Sequence, residues 1–207
     1  MKKRIIKIID WIFLLLNFIY SNITHYKYIV FRNKLYSYWI KFNFKECSNP
    51  SFSKPVYLQG GKYIIIGKNF HSHPRLRIEA IDSYRNKVYQ PKIKIGNNVS
   101  FNFNCHVAAI NKILIKDNVL IGSNVLITDH SHGDTSKENL NTIVVERPLY
   151  SKGPVIIEEN VWIGENVSVL PGVTIGKNSI IGANTVVSKN VPPDVIVVGN
   201  PMRVLMR

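Results

Sequence analysis

Branched aliphatic residues return at every sixth position between residues 155 and 187. The set that this period defines is Ile157, Ile163, Val169, Ile175, Ile181 and Val187. A period of six matches neither the 3.6-residue repeat of an α-helix nor the two-residue alternation of a single strand. Glycine often follows the aliphatic residue and asparagine recurs near it, and both residues tolerate a positive φ in turns. The pattern predicts short strands and turns that stack into a three-sided coil with a shared apolar interior.

The same register occurs earlier in the chain and is then interrupted once. Earlier members of the pattern are Ile95, Phe101, Val107, Ile115, Ile121 and Ile127. The next inward residue is due at position 133, but Gly133 opens a polar stretch and the pattern resumes near Val155. We therefore expect a loop over residues 131–153, and long loops in compact folds are often functional. The alternative of an antiparallel β-sandwich does not account for several hexads in phase.

The N-terminal region follows a different pattern. Residues 5–20 are mostly apolar, but this stretch is interrupted by polar residues and is shorter than the ~20 residues of a membrane span. A narrow polar stripe at alternating steps of four and three predicts a helix, with Lys3, Lys7, Asp10, Asn17, Ser21 and Thr24 on the stripe. A basic, aromatic segment at 26–42 predicts a second helix. Two hypotheses remain open: residues 1–45 contact the inner membrane surface, or they pack on the coil, on each other or on another subunit.

Charge narrows the range of expected binding partners, and cysteine content indicates the cellular compartment. The 207 residues carry 27 Lys and Arg against 13 Asp and Glu, a net charge of +14, and residues 1–50 hold nine basic and two acidic residues. No motif of a nucleic-acid-binding protein is present, so we expect no nucleic-acid partner and interpret the charge as suited to coenzyme A phosphates or anionic lipid. Cys47 and Cys105 form no metal or disulfide pattern, which favours a reducing cytoplasm, with Cys105 packed on the coil. We expect no bound metal.

Four segments resemble one known family. They are NFN at 102–104, ITDHSHG at 127–133, VWIGENVSVLPGVTIGKNSIIGA at 161–183 and GNPMRV at 199–204. They resemble the hexapeptide-repeat O-acetyltransferases, in particular the galactoside, maltose and xenobiotic acetyltransferases and their capsular-polysaccharide and O-antigen relatives. The resemblance covers roughly residues 60–207. It implies a left-handed parallel β-helix, acetyl-CoA as co-substrate, a sugar hydroxyl as acceptor, and a homotrimer with active sites between subunits.

These observations together predict an all-β fold with added helices. We expect an amphipathic helical extension over residues 1–50, a β-helical acyltransferase domain over 51–198 with its loop at 131–153, and a C-terminal tail at 199–207. The expected enzyme acetylates a saccharide in cell-surface polysaccharide biosynthesis. It would be cytoplasmic or peripheral at the inner membrane.

Acyl transfer to a hydroxyl needs a base, and histidine suits that role near neutral pH. By resemblance, His130 is the general base, His132 is the alternative and a candidate acceptor contact, and Asp129 replaces a glycine of the galactoside enzymes. Asn102 matches a family asparagine near the reacting carbonyl, although its spacing to the histidine differs by two residues, which leaves Asn104 open. Asp129, Asp134 or Glu138 could orient the imidazole. Asp129 and Asn104 are also candidate acceptor contacts.

The resemblance also implies a coenzyme A groove. In the hexad frame Trp162 precedes an inward residue, so it should point outward and cover the pantetheine region or a subunit boundary. The candidate cofactor contacts are Trp162, Gly164, Gly182, Ala183, Ser188, Lys189 and Arg203. Glu165 departs from a serine of the galactoside enzymes, which puts that contact in doubt.

Three other functions remain open at this point. The acceptor could instead be serine, an antibiotic or an amino sugar. The same coil also occurs in γ-type carbonic anhydrases, for which His106, His130 and His132 would have to hold zinc. A non-enzymatic scaffold would not need the loop or its histidines.

Overall fold

The computed structural model describes residues 2–205, which form a three-sided parallel β-helix preceded by two helices. Helix α1 comprises Lys2–Ile19 and α2 comprises Asn22–Ile40, followed by a 3-10 turn at Lys41–Asn43. A short helix α3, Lys137–Asn141, lies in the long loop, and two more 3-10 turns comprise Gly61–Tyr63 and Val144–Glu146. The hexads thus build the body, and the N-terminal segment builds a helical arm, residues 2–43.

The coil passes through three parallel sheets in turn. The first sheet contains Glu46–Cys47, Ile64–Ile66, Lys92–Ile95, Lys112–Ile115, Val155–Ile157 and Thr174–Ile175. The second contains Ser51–Phe52, His71–Ser72, Ser100–Phe101, Leu120–Ile121, Trp162–Ile163, Ile180–Ile181 and Ile196–Val198, with Arg203–Leu205 added antiparallel. The third contains Val56–Gln59, Leu76–Ala80, His106–Ala109, Leu126–Thr128, Ser168–Val169 and Val186–Val187. Two antiparallel pairs lie outside the coil: Ser83–Tyr84 with Lys87–Val88, and Ser131–His132 with Leu149–Tyr150.

The core is the stacked inward position of each hexad. In the second sheet Phe101 pairs with Ile121, Ile121 with Ile163, and Ile163 with Ile181. The six predicted inward residues of 155–187 all have 0% exposure. Full burial of one such aliphatic side chain contributes about 1.5–3 kcal/mol. The prediction of the inward set is confirmed.

Asparagines form a second ladder at the turns. Asn160, Asn166, Asn178 and Asn184 have φ values of 59°, 57°, 59° and 60°, as the turn prediction requires. Their side chains bond from coil to coil: Asn160 Nδ2 donates to Asn178 Oδ1 at 2.9 Å, and Asn166 Nδ2 donates to Asn184 Oδ1 at 3.2 Å. The asparagines therefore serve the left-handed turn and the stacking of coils.

The helices predicted for the N-terminal region are present, with 18 residues in α1 and 19 in α2, so the fold is not purely all-β. Two predicted boundaries need correction. The coil begins at Glu46, before the predicted boundary at 51, because Glu46–Cys47 already pairs with Ile65 and Ile66 of the first sheet. The tail from 199 is partly structured, since Arg203–Leu205 pairs with Ile196–Val198; its last two residues lie outside the described part.

The second half of α2 and the turn after it contact the coil. Ser37 accepts a hydrogen bond from the Phe52 amide at 2.8 Å, and Phe44 stacks on Phe52 with ring centroids 5.5 Å apart. The predicted polar stripe is not continuous, because Ser21 caps α2 by accepting from the Thr24 amide. Among residues 2–205 no single helix has the length and apolar composition of a membrane span, although α1 and Asn22–Asn43 meet that test as a pair bent by 51°.

Candidate active site

The long loop leaves the coil where the third sheet leads into the first. His130 follows the strand Leu126–Thr128 at this edge, and the coil resumes at Val155. The loop folds back as the antiparallel pair of Ser131–His132 with Leu149–Tyr150, with α3 between them. The edge after the third sheet therefore carries the interruption that the hexads predicted.

Asp129 and His130 form a buried pair at the start of this loop. The His130 side chain is 11% exposed and the Asp129 side chain 0%, and His130 Nδ1 lies 3.1 Å from Asp129 Oδ1. The backbone amides of Ile110, Asn111 and Lys112 donate to the same carboxylate at 2.9, 2.9 and 2.7 Å. The three backbone amides thus fix the position of the Asp129 carboxylate.

This arrangement sets the tautomer of His130. Both oxygens of Asp129 already accept from backbone amides, so the imidazole donates to this carboxylate from Nδ1, and the lone pair of the neutral ring then lies on Nε2. Thr128 Oγ1 also lies near Nδ1, at 3.3 Å. A histidine oriented by a buried carboxylate in this way can remove a proton at Nε2 and hold the resulting positive charge.

Asp129 was also predicted as an acceptor contact, and the structure contradicts that role. Its oxygens are fully buried and already accept from three amides and the imidazole. Asp134 is not the orienting group either, because it bonds Ser136 and Asn139, and the bonds from Ser136 are the main cause of its lowered pKa. Glu138 is exposed in the first turn of α3. Of the three acidic candidates, Asp129 is the one bonded to His130.

His132 lies on the exposed strand of the loop rather than beside the buried pair. Its ring meets the Tyr84 ring edge to face, with centroids 5.4 Å apart. Tyr84 belongs to the hairpin Ser83–Val88, which leaves the same edge of the coil two turns earlier. Arg85 Nε donates to Val145 O at 2.9 Å, and Tyr89 Oη donates to Leu149 O at 3.0 Å. These contacts show that the hairpin supports the loop. The sequence analysis did not predict this hairpin. The signal that could have revealed it is the break in the six-residue spacing before Ile93.

Asn102 and Asn104 lie at a different edge, between the second and third sheets. Asn104 has φ 59° and donates to Asn124 Oδ1 at 3.1 Å, so it belongs to the turn ladder. Asn102 lies just after the strand Ser100–Phe101, and its side chain is partly exposed. The strand His106–Ala109 separates this edge from the His130 edge, about 13 Å at 3.3 Å per residue. Within one chain, Asn102 and His130 are therefore apart.

The edge that carries Asn102 continues as a column of glycines. The amide of Asn102 donates to Ile121 O, that of Gly122 to Ile163 O, that of Gly164 to Ile181 O, and that of Gly182 to Val197 O. A Cβ on Gly164 would lie 2.7 Å from the Ala183 nitrogen, so close stacking of coils already requires this glycine. Gly122 was not among the predicted site residues, although it extends the column toward Asn102.

The other predicted cofactor residues divide between the two edges. Trp162 is 50% exposed on the outer face of the second sheet, between Leu120 and Ile180, and Ala183 is exposed beside the glycine column. Ser188 and Lys189 are exposed after Val186–Val187, at the edge that also carries His130. Arg203 is exposed on the last strand.

The predicted zinc alternative does not gather its residues. His106 Nε2 bonds Glu79 Oε2 at 2.9 Å on the third sheet, away from the Asp129–His130 pair. Within residues 2–205, no group of three or more His, Cys, Asp or Glu side chains is placed to hold a metal ion.

Residues 154–189 match the family model for bacterial transferase hexapeptide (six repeats). A protein of Escherichia coli (strain K12), provisionally named as the lipopolysaccharide biosynthesis O-acetyl transferase WbbJ, is 33% identical over 156 residues, which are 74% of this chain and 76% of that protein. Galactoside O-acetyltransferase of the same strain is 41% identical over 117 residues, 56% of this chain and 55% of that protein.

A solved structure agrees with these relatives. The hexapeptide-repeat containing acetyltransferase VCA0836 of Vibrio cholerae O1 biovar eltor, complexed with acetyl coenzyme A, is 25% identical, with a TM-score of 0.54 over 90% of this chain and 89% of that one. The chain belongs to the hexapeptide-repeat transferase family. It is an acyltransferase, and its parallel sheets are consistent with the left-handed β-helix that the resemblance implies.

Proposed function

We propose that the protein transfers the acetyl group of acetyl-CoA to a saccharide hydroxyl during the synthesis of a cell-surface polysaccharide. The observation that carries the proposal is the buried Asp129–His130 pair at the mouth of the extruded loop. Two relatives are named for O-acetyl transfer, one in lipopolysaccharide biosynthesis and one to galactosides, and the related structure holds acetyl coenzyme A.

The proposed reaction begins at His130 Nε2. This atom takes the proton of the acceptor hydroxyl while the oxygen attacks the thioester carbonyl carbon. The carbonyl C–S bond then breaks, coenzyme A leaves as the thiolate, and the imidazolium returns the proton to sulfur. Asp129 stabilises the imidazolium that forms between these steps. The side-chain amide of Asn102 donates an N–H to the developing oxyanion. A contact of this kind contributes a factor of about 10²–10³ to the rate in comparable sites.

A trimer completes this site. Asn102 and His130 lie at two different edges of one coil, separated by the third sheet, so one chain cannot present both to the same carbonyl. If three coils pack side by side around an axis, the His130 edge of one chain can face the Asn102 edge of the next. We infer one active site at each of three subunit boundaries.

The same boundary suits coenzyme A. The pantetheine would run along the column of Gly122, Gly164 and Gly182 toward Asn102, because the column presents backbone without side chains. Trp162 and Ala183 would lie beside it on the same chain. Ser188, Lys189 and Arg203 would meet the nucleotide end, since Lys and Arg suit phosphate.

The helical arm contacts the inner membrane surface in this proposal. The side chains of α1 from Ile5 to Ile19 are exposed, including Trp11 at 67% and Phe18 at 88%. Lys2, Lys3, Arg4 and Lys7 lie at its beginning, and such basic residues attract anionic lipid. Because acetyl-CoA is the proposed donor, the enzyme would act on the cytoplasmic face.

Flotation with vesicles tests the membrane contact. The full chain should float with vesicles of phosphatidylcholine and phosphatidylglycerol and less with phosphatidylcholine alone. Ile12→Asp should reduce flotation, whereas Val88→Asp, an exposed aliphatic residue of the loop-bracing hairpin, should not. Equal flotation of both variants contradicts the contact.

An acceptor panel tests the reaction. Thiol release from acetyl-CoA should depend on an added saccharide, and His130→Ala should lower kcat by about 10²–10⁴. Acetyl-CoA binding, followed by calorimetry, should persist in His130→Ala. Activity with serine or an antibiotic but with no saccharide would refute the proposed acceptor, and full turnover by His130→Ala would refute the base.

A further inference from the structure

A groove lies between α2 and the first turns of the coil. Its volume is about 640 Å³. We call it the arm groove, and its lining includes Arg32, Lys34, Tyr38, Lys41, His73 and Phe103. The arm forms one wall, and the edge between the second and third sheets forms the other. The arm groove is therefore a concave site that none of the predicted site residues lines.

The wall formed by the arm is strongly basic. Arg32, Lys34 and Lys41 line it, and none of the lining residues among those described is acidic. Arg32 Nε is buried and has no hydrogen-bond partner within the described part of the chain. Lys41 Nζ lies 4.1 Å from the Tyr38 ring centroid, so this charge is held over the groove wall by the aromatic ring. Clustered cations suit an anionic ligand.

The opposite wall carries a stacked pair of aromatic rings. The His73 ring stacks on the Phe103 ring with centroids 4.5 Å apart and an angle of 22° between them. Ligand sites combine such apolar surfaces with a few polar groups that fix orientation. A sugar ring, which has apolar faces and polar edges, fits beside this pair.

The arm groove adjoins the proposed reaction centre. The His73 amide donates to Phe101 O at 2.9 Å, so His73 lies in the coil next to Asn102, at the strand spacing of about 4.8 Å. Phe103 directly follows Asn102. A ligand held between the basic wall and the aromatic wall therefore has one end within reach of Asn102.

We propose that the arm groove binds an acceptor in which the saccharide is esterified to a diphosphate. The cations of α2 hold the diphosphate, and the His73–Phe103 wall holds the sugar beside Asn102. This inference rests on the proposed function, because it names the acceptor of that same reaction. The diphosphate could belong to a nucleoside diphosphate sugar or to a lipid-linked sugar, and the shared chemistry is the diphosphate ester.

Calorimetry with inorganic pyrophosphate on the full chain is the first experiment. Saturating coenzyme A is present, so that the cofactor's own phosphate contacts are occupied. Wild-type protein should bind pyrophosphate, and Lys34→Gln with Lys41→Gln should weaken binding roughly tenfold. Lys27→Gln is the matched control, because Lys27 lies on α2 outside the groove and should leave affinity unchanged. Absent binding, or equal loss in the control, overturns the proposal; circular dichroism checks that each variant is folded.

Two diphosphate esters distinguish a nucleotide-linked acceptor from a lipid-linked one. Tighter binding of uridine diphosphate than of pyrophosphate supports a nucleotide-linked acceptor, and tighter binding of farnesyl diphosphate supports a lipid-linked one. Weaker binding of both esters than of pyrophosphate overturns the proposal that the groove accepts an ester.

These outcomes separate the groove from the reaction. Binding that depends on Lys34 and Lys41, in protein that acetylates no saccharide, would refute the proposed function and leave the groove. Acetylation of neutral saccharides with the same KM in wild type and in the Lys34, Lys41 double variant, without pyrophosphate binding, would refute the groove and leave the function.

Discussion

The β-helix and the helical arm use the same aliphatic residues with opposite results. Ile163 in the coil is 0% exposed, whereas Ile12 in α1 is 50% exposed. Each hexad buries its aliphatic side chain against the hexads above and below it, so the coil supplies its own cover. Helix α1 has no buried residue, and nothing else in the described chain covers it. Apolar character alone does not tell whether a segment is core; the repeat period does.

Substitution of aspartate for these two isoleucines should give the largest difference in the free energy of unfolding. Ile163→Asp buries an unpaired charge and should cost more than about 5 kcal/mol, so that the protein no longer folds. Ile12→Asp should change the free energy of unfolding by less than about 0.5 kcal/mol, since the side chain is exposed. Thermal melts followed by circular dichroism measure both. Comparable losses would mean that the arm is part of the core.

Within the coil, substitution of Asp129 should have the next largest effect on stability and on the reaction rate. Asp129→Asn turns an acceptor into a group with N–H donors facing three amides, which should cost about 1–3 kcal/mol of stability. It also disrupts the tautomer of His130, so kcat should fall by about 10²–10⁴. Chemical denaturation and initial rates measure these effects. Glu138→Gln removes a charge from the exposed loop and should leave both unchanged; an equal loss there would point to general loop electrostatics.

The junction between arm and coil should have a moderate effect. Ser37 accepts from the Phe52 amide at 2.8 Å and donates to Asn33 O at 2.7 Å. Ser37→Ala leaves the buried Phe52 amide without this partner and should cost about 1–2 kcal/mol. Denaturant titration compares it with Ser48→Ala, an exposed serine that should be neutral. No loss at Ser37 would mean that the arm is not anchored there.

Removal of α1 should have the smallest effect on the coil. A chain lacking residues 2–20 should keep its kcat for a water-soluble acceptor within about twofold, because none of the site residues lies in α1. It should also lose flotation with anionic vesicles. A large fall in kcat on the soluble acceptor would show that α1 contributes to catalysis rather than to positioning the enzyme at the membrane.

The sequence predicts the coil far better than the arm, for a physical reason. A stacked repeat fixes its register by its own period, so the inward isoleucines, the turn asparagines and the position of the loop all follow. The break at Ser21 depends on a local cap and was not foreseen. The orientation of α2 depends on single contacts such as Ser37 with Phe52, which a sequence pattern does not encode.

In the candidate site too, some residues could be predicted from the sequence and others could not. His130 follows from a motif and from the interruption of the repeat. Its partner Asp129 could not be chosen from sequence, because three backbone amides from the preceding coil hold the carboxylate and backbone carries no sequence signal. The sequence also left open whether Asn104 is a ladder asparagine or a site asparagine, since the two look alike until the stacking of the coils is known.

Mixing two inactive chains tests the central claim, that His130 of one subunit acts with Asn102 of the next. His130→Ala and Asn102→Ala chains are purified separately, unfolded, mixed in equal amounts and refolded together. In a random cyclic trimer, each mixed trimer contains one intact site, so acetyl transfer should return to about a quarter of the wild-type rate. Refolding each variant alone gives the baseline. A mixture no more active than that baseline would contradict the shared site.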